Sequence, residues 1–162
     1  MSDLAERLDN IRVRATVPGT ELYAELRNRN EVALTFGEGV YEFIDERALE
    51  RTLASLAKRL YTGWLREYRE VISTTGINIE PQDQHDYNFL EELHGLEVSV
   101  TSSDERITLS TVGMLDFSAK LCRGTVRELT EKEFTARVAE IAPQLIFRYQ
   151  AQASQLKARY YG

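Results

Sequence analysis

A single cysteine, Cys122, in 162 residues excludes an internal disulfide and a structural zinc site built from several thiolates. Histidine is almost as scarce, with only His85 and His94. No stretch approaches the roughly 20 apolar residues of a membrane span, and MSDLAERLDNIRV places acids where a secretory signal needs a basic start and an apolar run. A cytoplasmic protein without membrane association is expected. A basic excess is missing as well. The net charge is -6, and residues 73–95 hold five acids (Glu80, Asp83, Asp86, Glu91, Glu92) and no Lys or Arg, unlike a uniformly basic nucleic-acid binder. There is no Walker loop, dinucleotide fingerprint, GxSxG or HExxH. The GEG at 37–39 is too short to cradle phosphate and reads as a bulge or turn. Asp83, His85 and Asp86 read as polar linker, since no second cluster would complete a metal shell. Cys122 reads as a small core or sheet residue. The chain is therefore read as non-catalytic, with no metal and no cofactor.

What is present is an internal correspondence. LERTLASLAKRLYTGW at 49–64 and FTARVAEIAPQLIFRY at 134–149 place large apolar residues in the same columns, 85 residues apart: Leu49 with Phe134, Leu53 with Val138, Leu56 with Ile141, Leu60 with Leu145, Trp64 with Tyr149. The offset holds without a gap outside the helix. Ile11, Val13 and Ala15 fall on Leu96, Val98 and Val100, Leu22 and Ala24 on Ile107 and Leu109, and Gly39 on Gly124. A fixed offset carried through several elements is the mark of a repeat. The reading is two units, 1–77 and 86–162, joined by an acidic linker at 78–85.

Periodicity changes in the same order in both units. A short amphipathic helix precedes three stretches of period-two alternation bounded by turn residues, Pro18-Gly19 and 28–30 in the first copy, 102–105 and Gly113 in the second. Their short connections predict an antiparallel meander. A fourth extended piece, VYEFI or TVREL, then leads into a long helix. Thr130 and Glu133 have capping-box spacing, and Asp45 can cap the first long helix. Apolar positions 49, 53, 56, 60, 64, 68 and 71 recur at 134, 138, 141, 145, 149, 153 and 156, a stripe suited to covering a sheet. Pro143, opposite Lys58, predicts a kink or an offset start in the second helix. The expected fold is α+β: two tandem repeats of short helix, three- to four-stranded meander and long helix, packed as an intramolecular pseudo-dimer.

Two surfaces are candidates for partner binding. At 100° per residue, Arg47, Arg51, Lys58 and Arg69 share a narrow sector opposite the apolar stripe, forming a ridge about 30 Å long. Such a ridge suits phosphates or an acidic protein surface, although a solvated face flanked by Glu67 and Glu70 is the plainer reading. The second helix has no such ridge. Aromatics gather toward the helix ends, with Tyr61, Trp64 and Tyr68 in one copy and Tyr149 and Tyr160 in the other. They read as core between the copies, or as an interface patch.

The stretches LYAELRNRNEVALTF followed by ERALERTLASLAKRL, and ITLSTVGMLDFSAKL followed by EKEFTARVAEIAPQL, resemble the YbaB/EbfC fold, in which two chains dimerise. The second copy is also similar to the actinobacterial type VII secretion-associated proteins EspD and EspH. The resemblance implies either nucleoid-associated DNA binding or an accessory, chaperone-like role toward exported proteins. Net acidity disfavours DNA, whose affinity comes largely from phosphate neutralisation. Tyr41 and Asp45 have the Tyr-x-x-x-Asp spacing of a type VII export signal but precede a helix rather than follow a helical hairpin. The expectation is a cytosolic adaptor or chaperone-like factor with a protein partner, monomeric or homodimeric, and DNA binding as the alternative. A small-molecule site between the copies is a third reading.

Overall fold

The computed structural model describes residues 3–162. The chain runs α1 (Asp3–Asp9), β1 (Arg12–Thr16), β2 (Leu22–Arg27), β3 (Glu31–Phe36), α2 (Val40–Phe43) and α3 (Glu46–Ser73). It continues with α4 (Gln84–Leu93), β4 (Glu97–Thr101), β5 (Ile107–Val112), β6 (Asp116–Leu121), α5 (Thr125–Glu128) and α6 (Glu131–Tyr161). The fold is α+β, with two antiparallel three-stranded sheets, β1-β2-β3 and β4-β5-β6. β4, β5, β6 and α5 begin at 97, 107, 116 and 125, each 85 residues after β1, β2, β3 and α2 at 12, 22, 31 and 40.

Alternation gives each sheet one apolar face. In β2, Leu22, Ala24 and Leu26 are buried, while Tyr23 and Arg27 are exposed. In β4, Val98 and Val100 are buried between exposed neighbours. The long helices turn their stripes inward, burying Leu49, Leu53, Leu56 and Leu60 on α3 and Phe134, Val138, Ile141, Leu145, Tyr149 and Leu156 on α6. Burying each such side chain contributes roughly 1.5–3 kcal/mol. Apart from Leu156, these residues and the inner sheet faces form one hydrophobic cluster that draws on both sheets.

The helices do not keep to their own sheets. α3 packs on β1 and β2 but also against β6, and α6 packs on β4 and β5 but also against β3. Each sheet therefore has one outer strand lying beside the helix that follows the other sheet. Three of the cross-contacts run from carboxylates of α3 to backbone amides. Glu46 accepts from Gly124 N–H (3.1 Å) and Val126 N–H (2.8 Å), and Glu50 accepts from Leu121 N–H (2.7 Å). In the other direction the contact is aromatic, with Phe134 of α6 packing against Phe36 and Tyr41 at ring separations of 5.9 and 5.7 Å. The Tyr41 hydroxyl donates to Leu129 O (2.7 Å), bridging the same junction.

Several expectations require correction. VYEFI and TVREL are helical except at their last residue. Gly39 and Gly124, at φ 75° and 90°, swing the chain into the single-turn helices α2 and α5, and the extended residues are the ones that follow, Ile44 and Leu129. Gln84 and His85 belong to α4 rather than to the linker, because Asp83 caps that helix by accepting from Asp86 N–H (2.9 Å). The second long helix has no offset start. Thr130 and Glu133 form the capping box, and the helix runs unbroken through Pro143 to Tyr161. Proline removes the N–H that would bond Ala139 O, and Ala139 is exposed, so water can take that bond. Asp45 caps α3 as expected, accepting from Ala48 N–H (3.0 Å). Cys122 is exposed just beyond β6, with Sγ donating to Glu105 O, and is not a core residue. No helix among the described residues is long and apolar enough to cross a membrane.

Candidate functional site

The outer edge of β1 begins the site. Gly37 N–H donates to Glu21 O, and Leu22 pairs with Phe36, so the odd-numbered residues of β2 bond to β3 and the even-numbered ones face β1. Their partners on β1 are Val13 and Ala15. Arg12, Arg14 and Thr16 therefore direct their backbone N–H and C=O away from the sheet. Their side chains lie on the outer face, since Val13 points into the core.

α3 passes close beside this edge. A Cβ on Gly63 would lie 2.6 Å from Val13 Cγ1, so glycine is what permits the approach. Between helix and strand runs a groove of about 660 Å³, bordered by Arg12 and Arg14 on one side and Lys58, Arg59 and Arg66 on the other, with Glu67 the single acid. Lys58, Arg59 and Arg66 are exposed, and among the described residues none of them meets a carboxylate within ion-pair distance. Arg14 is held by Glu25 (Nε–Oε2 2.9 Å), with Arg12 at 3.8 Å and Arg27 at 3.5 Å from the same carboxylate. The hydrogen bond from Arg14, with the charges of Arg12, Arg14 and Arg27, lowers the Glu25 pKa below its ordinary value. Among the described residues Glu25 is the one carboxylate within ion-pair distance of Arg12 and Arg14, and it is shared with Arg27, which also pairs with Glu31, so the groove stays electropositive.

The four cations singled out by helical spacing, Arg47, Arg51, Lys58 and Arg69, are all exposed on α3, and among the described residues none is ion-paired. Only Lys58 lines the groove. Arg12, Arg14, Arg59 and Arg66 escaped sequence reasoning because nothing in the spacing of α3 says that β1 lies beside it. The available signal was the alternation Arg12-Val13-Arg14, which places two cations on the outer face of a strand beside its free edge.

The aromatic candidates separate into three places. Tyr61, Trp64 and Tyr68 stack along α3, with ring separations of 6.2 and 5.2 Å, and Tyr61 leans on Phe117 of β6. All three are half-buried, and burial raises the Tyr61 pKa. Trp64 Nε1–H is buried without a hydrogen-bond partner. Tyr149 is buried, its hydroxyl donating to Gly113 O (3.5 Å), and burial pushes its pKa up to about 12. Tyr160 lies at the far end of α6 against His85 and Phe89 of α4, its hydroxyl donating to Glu92. These residues form no single patch.

The groups around His85 are engaged locally. His85 Nε2 is 2.7 Å from Tyr160 O, and Asp86 accepts from Tyr161 Oη–H and from Gln82 N–H. Among the described residues no group of three or more His, Cys, Asp or Glu is arranged to hold a metal ion.

The equivalent place beside β4 differs. Eighty-five residues on, Arg12, Arg14, Lys58, Arg59 and Arg66 are matched by Glu97, Ser99, Pro143, Gln144 and Ala151, and Gly63 by Arg148. Arg148 Nη1–H donates to Ser99 O (2.9 Å), closing the strand edge that glycine leaves open in the first half. The chain matches no protein-family model, no curated protein and no solved structure.

Proposed function

We propose that the chain is a non-catalytic binding protein that engages an acidic protein partner through the α3–β1 groove. In this reading the two halves are copies of one YbaB-like unit fused into an intramolecular pseudo-dimer, and partner binding belongs to the first copy. The constant 85-residue offset and the exchange of helices between sheets support the duplication. One observation carries the function. In a chain of net charge -6, five cations converge on one groove, three of them without carboxylate partners, and the matching place in the second half has none of the five. Unpaired cations gathered at one surface of an acidic protein create a local field that attracts anionic partners and steers their approach. An adaptor or chaperone-like role toward type VII secretion substrates is the biological setting that the sequence resemblance suggests.

The test is capture of partners from native cytosol with the full chain, compared with a Lys58→Glu, Arg59→Glu, Arg66→Glu variant. Acidic proteins retained by the wild type and lost with the variant are expected. Equal capture by both would remove the groove from the reading.

A second reading, DNA binding, is favoured by the exposed line of Arg47, Arg51, Lys58 and Arg69 beside the groove. Against it stands the overall acidity. DNA binding requires affinity for duplex that falls steeply with salt and weakens on charge reversal at Arg51 and Lys58.

A further inference from the structure

We infer that the partner enters the α3–β1 groove as an extended acidic segment that adds as a strand to β1; this rests on the groove being the partner site. Three observations converge. Arg12, Arg14 and Thr16 direct unpaired backbone N–H and C=O groups to the outside of the sheet, the hydrogen-bonding template of an edge strand. The groove lies along that edge and follows α3 from Ser55 to Glu67, about 18 Å at 1.5 Å per residue, the length of roughly five residues of strand. Its borders carry Arg12, Arg14, Lys58, Arg59 and Arg66, complementary to a segment bearing a carboxylate at every second position.

The second half shows what closing such an edge requires. There Arg148 occupies the position of Gly63, and its guanidinium takes the outward carbonyl of Ser99. In the first half the position is glycine, the matching carbonyl of Arg14 has no side-chain donor among the described residues, and the cations surround it instead of blocking it. Backbone pairing supplies affinity in this mode, and the charges select an acidic sequence and fix its place.

The experiment is fluorescence anisotropy with the full chain and a labelled ten-residue peptide of alternating Val and Glu. Two further probes carry N-methyl groups on all valines or on all glutamates. In an added strand, alternate residues bond to β1 and the rest face away, so one methylated probe should bind at least tenfold more weakly than the other. Lys58→Glu, Arg59→Glu, Arg66→Glu should weaken all three probes. If the parent and both methylated peptides bind equally and the charge reversal abolishes all binding, strand addition is overturned and the groove reading stands. If none binds at low salt, both fail. A short DNA duplex that displaces the peptide with steep salt dependence would also overturn the inference in favour of nucleic acid.

Discussion

The two halves share the bounds of their strands and single-turn helices but divide the work of holding the molecule together unequally. At the junction the first half contributes polar side chains and the second contributes backbone: Glu46 and Glu50 of α3 accept from the amides of Gly124, Val126 and Leu121, and the Tyr41 hydroxyl reaches Leu129 O. The corresponding residues do not return the contacts: Glu131 matches Glu46 but makes no hydrogen bond across the junction among the described residues. Glu50 becomes Thr135, whose hydroxyl donates to Lys132 O within its own helix, and Tyr41 becomes Val126. Beside β1 and β4 the contrast runs the other way, with the second half bracing its strand edge through Arg148 and the first leaving its edge open. Correspondence of apolar columns thus coexists with divergence at polar positions, and the divergent positions separate a side built for cohesion from a side left available.

The largest expected effect comes from breaking the junction. Glu46→Ala with Glu50→Ala leaves three part-buried N–H groups without their acceptors. The expected loss is about 2–4 kcal/mol, because an unsatisfied buried donor costs roughly 1–3 kcal/mol and water reaches some of them. Glu131→Ala with Thr135→Ala, at the corresponding positions, should cost less than about 1 kcal/mol, since neither side chain bonds across the junction. Urea denaturation of the two double variants measures the difference. Equal losses would mean that the asymmetry carries no energy.

Much of this fold was legible in the sequence. The offset aligned the strands in advance, because alternation and turn residues are local signals, and the caps at Asp45 and Thr130 rest on spacing alone. What stayed hidden depends on which element lies beside which. The stripe on α3 says that the helix covers apolar surface, but not that β6 of the other sheet shares it with β1. For that reason the ridge was found and most of the groove was not: Lys58 belongs to both, whereas Arg12, Arg14, Arg59 and Arg66 matter only once α3 is placed beside β1. Trp64 and Tyr149 occupy matching columns, yet one leaves its N–H unpaired and the other finds Gly113 O. A hydrophobic pattern does not report such hydrogen-bond geometry.

A smaller effect, set by pH, probes each half through one buried phenol. Burial pushes both Tyr41 and Tyr149 up to about 12, so each is raised above its unfolded value near 10. A raised tyrosine contributes stability in full below the unfolded value and loses it as pH rises through the folded one. Stability should therefore fall between about pH 10 and pH 12, and phenolate absorbance at 295 nm from these two residues should appear only toward pH 12. Tyr41→Phe and Tyr149→Phe should each remove one late-titrating phenol. Ionisation of either residue near pH 10 in the folded protein would show that its burial is not maintained in solution.

The smallest expected effect is the most selective. Arg148→Ala removes the donor to Ser99 O at an exposed edge and replaces arginine by the residue most favourable to helix, so stability should change by less than about 0.5 kcal/mol. The β4 edge then opens as the β1 edge is open, but Glu97, Gln144 and Ala151 border it where the first half has Arg12, Arg59 and Arg66. An alternating Val-Glu peptide should gain nothing from the change, whereas a Val-Lys peptide should bind the variant better than the wild type. A loss above about 1.5 kcal/mol would instead show that Arg148 contributes more than its bond to the strand edge, since an exposed hydrogen bond of this kind does not account for that much. Gain of the acidic peptide would show that an open edge suffices without cations, and would move the source of selectivity in the first half from charge to backbone alone.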